Sequence, residues 1–285
     1  PVRTPSEQFV NPISTGTAAH SDLREAVLGG LLEVIERDSI ALTWLQRLRL
    51  PAVAVDPSAL GEVAAEYHRV GTSTELETHL FDATTDYGVP TLYAVQTSQV
   101  DPELAQVVAA TCDIDPQRAL AKIHRELASL RIALRSHARG PRAQEIKGQD
   151  LTVVGGALAD AELSMRHVFD FLLQGERPVH ALDEIGALGA SSAGTDGSDG
   201  PDPLEQVVAN LERAGAEAVV VDITTDEARQ VGMHVVKALV PEAMPLSFSH
   251  HARYLATPRL YEAPRAMGLT VHDEAGINPV RQPFA

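Results

Sequence analysis

The sequence predicts an α+β fold, on three observations. Apolar residues recur at helical spacing through one long segment, 21–48. A strand, turn, strand pattern occupies 80–95, "LFDATTDYGVPTLYAV", with β-branched and aromatic residues on either side of Tyr87-Gly88. Beyond a second long helical segment at 115–140, shorter helices and strands alternate to the end of the chain.

The elements follow in order. Residues 1–16 are polar and turn-rich. Ser21 reads as the N-cap of the first helix, in which Leu28, Leu31, Leu32, Ile35 and Leu42 keep the period, and Pro51 prevents its continuation past about residue 48. The 80–95 pattern is a hairpin or meander edge. Asp115 stands as N-cap of the second helix with Pro116 at its first position, and Gly140-Pro141 ends it. A short strand at 151–154, a helix at 160–173 and a helix at 204–214 come next. They lead to a buried strand, "AEAVVVDIT" (216–224), and a last strand at 233–241, before an irregular, proline-punctuated tail. "GASSAGTDGSDGPDP" (189–203) has no apolar period and reads as a flexible surface loop.

The chain has 285 residues, 44% hydrophobic and 22% charged, enough for one large domain covering 1–285. No internal repeat is present. A formal net charge of −16 argues against nucleic acid and against an anionic membrane surface as partners, because both demand a basic face. The single cysteine, Cys112, excludes an intramolecular disulfide framework and every multi-cysteine zinc pattern. With no apolar run of membrane-spanning length and no signal peptide, a cytoplasmic protein is expected. The chain opens on Pro1, so an upstream segment is expected as well.

The chemistry concentrates in "GGLLEVIERDS" (29–39), which puts carboxylates and an arginine into a mostly buried helix, where charge without a partner is costly. Helical spacing sets Gly29, Glu33, Glu36, Arg37 and Ile40 on one stripe. Two inward glutamates one turn apart suit a hard cation such as magnesium, which takes one or two carboxylates and completes its shell with water and phosphate. Arg37 beside them could hold a phosphate bidentately. The Gly29-Gly30 pair is explained if something, such as a ligand, approaches that backbone closely. An intrahelical Glu33–Arg37 salt bridge on a solvated face accounts for the same spacing. In the second helix Lys122, Glu126 and Ser129 share a face with Arg131 on its flank. Glu126 joins the other two carboxylates if the helices pack side by side, or else pairs with Lys122 four residues earlier. No phosphate-binding P-loop, dinucleotide fingerprint, nucleophile elbow or HExxH is present. His250-His251 read as loop or surface residues, and Cys112 as a small packed side chain.

"STGTAAH" followed by "SDLREAVLGGLLEVIERDSIALTWL" resembles the signature of the YcaO superfamily. The 80–95 stretch, "DIDPQRALAKIHRELASLR", "AVVVDITTDEARQVGMHVVKALVPEAMPLSF" and "PRLYEAP" resemble further blocks of its azoline-forming peptide cyclodehydratases, in the same order. The resemblance implies a YcaO-type fold, with mixed sheets and helices around a central nucleotide site, part of which lies upstream of Pro1. It implies ATP and Mg2+ as cofactors and Mg-ATP-dependent closure of Cys, Ser or Thr of a ribosomal precursor peptide into thiazoline or oxazoline rings, through phosphorylation of the amide-derived oxygen. Implied ligands of magnesium are Glu33, Glu36 and Glu126. Ser14, Arg37 and Arg131 join them around the nucleotide. Arg37 carries over as catalytic, with Pro283 and Ala285 in a tail that reaches the active site. Implied partners are a leader-peptide-binding protein of ThiF-like (E1-like) type, a flavin dehydrogenase of the same pathway and a second copy in a homodimer. Relatives usually end in a PxPxP tail, whereas here Arg281 and Ala285 stand where prolines are expected. Ser129 replaces a glutamine, and Lys237 an arginine. The altered tail leaves two alternatives, thioamide or amidine formation with an external nucleophile, and a non-catalytic paralogue that binds peptide or a partner.

Overall fold

Helix α1, Leu23–Leu45, connects the two sheets of the computed structural model, which describes residues 13–72, 74–138, 153–185, 202–247 and 249–284. Its cap is Asp22 rather than Ser21, since the Asp22 carboxylate accepts from the N–H groups of Arg24 and Glu25. Its end is set before Pro51. Arg47 takes a left-handed φ of 47°. The N–H of Leu48 then returns to the Thr43 carbonyl and that of Arg47 to the Trp44 carbonyl, which closes the helix as a glycine would. Residues 38–45 are all buried, so this half of the helix is covered on every side.

The larger sheet runs in the order β5-β4-β3-β2-β6: Gln106–Cys112, Thr91–Ser98, Leu76–Asp82, Ala52–Ala54 and Val179–Ala181. All its pairs are antiparallel except β2 with β6. The expected hairpin is β3–β4, with Phe81 opposite Tyr93. Both faces of this sheet are covered, which explains why every residue of β4 and β5 is buried. Tyr93, Val95, Val108 and Ala110 pack on Ile40, Trp44 and Leu45 of α1. Leu92, Ala94, Val107 and Ala109 pack on Leu120, Ile123 and Leu127 of α3, Pro116–Ala138, whose start at Pro116 is the expected one.

The smaller sheet, β1-β8-β7, holds Thr17–His20, His234–Leu239 and Val219–Asp222. The first half of α1 packs on it together with α6, Pro203–Arg213, which lies across Tyr87 and Val89. Asp202 and Pro203 start α6, whereas residues 189–201 of the expected loop lie outside the described residues.

Four expectations change. The strand expected at 151–154 is not one where it is described, because Val153 opens helix α4, Val153–Asp160. The helix expected at 160–173 is instead a 3-10 turn over Leu163–Phe169 followed by the single turn Asp170–Leu173. The apolar run at 216–224 gives β7 as an exposed strand, with Val219, Val220 and Val221 at 37–44% exposure. It is the edge of its sheet, and the α1 cover stops at Ala238 of β8. The C-terminal stretch contains a helix, Arg259–Ala266, with Pro264 inside it.

At the far edge of β5 the C-terminal segment folds inward. Pro283 is buried there, and the Phe284 ring meets Tyr93 edge-on at 5.3 Å. Pro283, Gln106, Asp160 and Phe169 line a cavity of about 10 Å³. Both Asp160 carboxyl oxygens are buried there without a hydrogen-bond partner among the described residues. Burial pushes Asp160 up to about 7, against the pull of Arg281. Its folded pKa therefore lies above the ordinary aspartate value of about 4, and the folded state keeps a proton that the unfolded chain has released. Stability falls as pH rises between these two values and the deficit is complete above the upper one. Asp160→Asn is expected to stabilise the protein by roughly 2–4 kcal/mol at pH about 8 and by little at pH about 4. Thermal melts at the two pH values check this; an equal effect at both would refute it.

Candidate functional site

Glu33, Glu36 and Arg37 leave one side of α1 where the helix passes the end of β5. The β5 strand is an edge, so the N–H of Cys112 has no strand partner on that side, and the Glu36 Oε2 accepts it at 3.1 Å. Glu33 faces the other sheet, where its Oε2 accepts the Gly16 N–H at 3.0 Å. Arg37 lies between the two, at 3.6 Å from each carboxylate. That separation exceeds a hydrogen bond, so its N–H groups remain available to a further acceptor.

Helix α3 supplies the facing wall. Lys122 donates from Nζ to the Cys112 carbonyl at 3.0 Å and lies 3.7 Å from Asp113, which Arg118 also approaches at 3.4 Å. Glu126, one turn further, is half-buried and near enough for its charge to act on Glu36. Burial, seconded by Glu126, pushes Glu36 up to about 7 despite Arg37, Lys122 and the Cys112 N–H. Burial likewise raises Glu126, opposed by Lys122, Arg37 and Arg125. The helices do not pack side by side, since α1 and α3 cover opposite faces of the larger sheet, yet Glu36 and Glu126 come near enough beside β5 for their charges to interact. The intrahelical Glu33–Arg37 pair is present as well, at 3.6 Å and partly exposed.

Gly16 explains the glycines. It has φ of 80°, and a Cβ there would lie 2.1 Å from the Ala238 carbonyl oxygen. Gly30 has the Gly16 carbonyl oxygen 2.7 Å from where its own Cβ would be. The close approach to Gly30 thus comes from the chain's own turn and β8, not from a ligand, while Gly29 meets only the Ala18 Cβ, at 3.5 Å. Ser14 is exposed and begins this turn, its carbonyl accepting from the Thr17 N–H at 2.7 Å. Lys237 of β8 fixes the turn by donating to the carbonyls of Ile13 and Thr15.

Two expected members lie elsewhere. Arg131 is buried at the opposite end of β4 and β5, donating to Gln96 Oε1 (2.6 Å), the Gln96 carbonyl (3.2 Å) and the Leu104 carbonyl (2.9 Å). Burial lowers it to about 10. Pro283 also sits at the Gln106 end of β5, not at Cys112, and Ala285 lies outside the described residues. Conversely, Lys122 and the backbone N–H groups of Gly16 and Cys112 belong to the site. Lys122 could be found from its spacing to Glu126, whereas nothing in the sequence pointed to the two backbone groups.

Among the described residues no three acidic, His or Cys side chains form a metal cage by themselves. The donor set nevertheless fits magnesium held jointly with phosphate, since that ion needs only one or two carboxylates. A divalent cation would also offset the burial that raises Glu36 and Glu126. No helix among the described residues is long and apolar enough to cross a membrane.

Comparison with known proteins identifies the family and the fold. The model of the family described as YcaO cyclodehydratase, ATP- and Mg2+-binding, matches residues 1–244. An uncharacterised protein of Methanothermobacter thermautotrophicus is 31% identical over 236 residues, covering 80% of this chain and 55% of its own. A structure described as a heterocyclase in complex with substrate and cofactor superposes with a TM-score of 0.71 at 23% identity, covering 100% of this chain and 35% of that one. The Methanopyrus kandleri YcaO bound with AMPPCP and Mg2+ gives 0.57 at 21% identity, covering 83% of this chain and 57% of that one. The chain thus spans between about a third and 57% of the length of these relatives.

Proposed function

Because the chain belongs to the YcaO cyclodehydratase family, whose members carry out ATP-dependent cyclodehydration, we propose that it closes Cys, Ser or Thr residues of a ribosomal precursor peptide into azoline rings. The observation that carries this reading is the buried Glu36, with Arg37 at 3.6 Å and with Glu126 and Lys122 near enough for their charges to act on it. Glu33, Glu36 and Glu126 would hold Mg2+, and Arg37 and Lys122 would neutralise the triphosphate. Ser14 would border the nucleotide from the turn that Glu33 anchors. Bound Mg-ATP supplies an electrophilic phosphoryl group for the amide-derived oxygen. The protein's part is position and charge: Arg37 is held loosely enough to reorient, Lys122 is fixed by the Cys112 carbonyl, and burial strengthens each interaction. A leader-peptide-binding partner, a flavin dehydrogenase acting on the rings and a homodimer belong to the same proposal.

Isothermal titration tests the site. Mg-ATP is expected to bind, binding is expected to vanish with chelator, and Lys122→Met is expected to weaken it about tenfold. A protein that binds no nucleotide at any magnesium concentration would be a non-catalytic paralogue, against this reading.

The placement of Pro283 favours a second chemistry. With this residue packed at the Gln106 end of β5, an external nucleophile could take the place beside the activated amide, giving a thioamide or amidine. Mass analysis of the peptide separates them: ring closure loses one water, and thioamide formation exchanges oxygen for sulfur.

A further inference from the structure

The one charged side chain of α1 that is wholly enclosed is Asp38, and it points away from the nucleotide site. Its carboxylate receives Arg259 in a two-point clamp, Nε to Oδ1 at 2.6 Å and Nη2 to Oδ2 at 2.7 Å, and accepts the Met244 N–H at 2.7 Å. Arg259 comes from the first turn of the C-terminal helix, 221 residues away. Its guanidinium lies over the Tyr87 ring at 3.6 Å and reaches Asp86 at 2.9 and 3.2 Å. Burial works against the charge on Arg259, but Asp38 and Asp86 more than offset it and raise the group above its usual range.

We propose that Arg259 is a positioning residue for the nucleotide site, fixing the rotation of α1 through Asp38 so that Glu36 and Arg37 reach the end of β5 and Glu33 reaches the Gly16 turn. The inference rests on the nucleotide reading above. Asp38 directly follows Arg37, and the next residue, Ser39, donates to the Ala83 carbonyl at 2.6 Å, so α1 is held from behind at the level of its acidic stripe. The Asp86 arm holds the turn between β3 and β4. That turn leads into Thr91, the strand partner of Cys112, whose N–H Glu36 accepts. One guanidinium therefore places both Glu36 and the strand end it binds. Buried ion pairs often contribute little net stability compared with apolar packing, and their attested use is to specify an arrangement. The planar fork matters here, because lysine cannot meet two carboxylates in one plane.

Arg259→Lys tests the proposal by titration with Mg-ATP, well below the variant's own melting midpoint. The variant is expected to weaken binding about tenfold relative to the wild type while remaining folded, since small misplacements of positioned groups cost large factors. Asp86→Asn keeps the Asp38 clamp and is expected to weaken binding about threefold; it carries the test if Arg259→Lys does not fold. A lowered melting midpoint with unchanged affinity in the folded variant would make Arg259 merely structural and overturn the proposal alone. Failure of the wild type itself to bind Mg-ATP would overturn the nucleotide reading, and this inference with it.

Discussion

Glu36→Gln is expected to lower Mg-dependent ATP turnover by about 100-fold or more while the folded protein survives or gains stability. The glutamine oxygen still accepts the Cys112 N–H that Glu36 Oε2 accepts now, so the end of β5 keeps its partner. What disappears is a metal ligand and a buried charge. Burial and the Glu126 charge hold Glu36 at about 7, so a neutral side chain removes both penalties. Phosphate release and a thermal melt on the same preparation decide the matter. Unchanged turnover with a lower melting midpoint would mean that Glu36 only supports the strand end.

Gly16→Ala is expected to cost roughly 3–5 kcal/mol or to prevent folding. Two effects combine at this position. The backbone is left-handed with φ of 80°, and the added Cβ would lie 2.1 Å from the backbone oxygen of Ala238. Relief would move the turn away from β8, and the Gly16 N–H would leave Glu33. Gly29→Ala, one helix away, is the contrast, since its Cβ would make an ordinary contact with Ala18 and helix propensity favours it by about 0.5–1 kcal/mol. Chemical denaturation of the two variants checks the pair; similar losses would show that the turn has room to shift.

Which parts were legible in the sequence follows from the range of each signal. The first and third helices were readable because leucine periodicity, Asp115-Pro116 and the turn around Tyr87-Gly88 are local. Glu33, Glu36 and Arg37 could be assigned to one helical face for the same reason. That this face comes near Glu126 depends on how both helices, on opposite faces of the sheet, pass the end of β5, and spacing does not carry it. Arg131 shows the limit clearly: five residues beyond Glu126, the helix has carried it toward the other end of the sheet, where Gln96 and Leu104 take its N–H groups. Of the glycine pair only Gly30 is a place of close approach, and the approaching group is the chain's own turn. β7 reads as buried because valines suit either a covered or an edge strand, and only the extent of the α1 cover decides between them. Asp38 had no local signal either, since its partner lies at the other end of the chain.

A crystal structure with Mg2+ and a non-hydrolysable ATP analogue decides whether the three glutamates hold the metal. A metal ion is expected at about 2.1 Å from oxygens of at least two of Glu33, Glu36 and Glu126, with the terminal phosphate against Arg37 and Lys122. A nucleotide bound elsewhere, with those three carboxylates still sharing only protein partners, would contradict it.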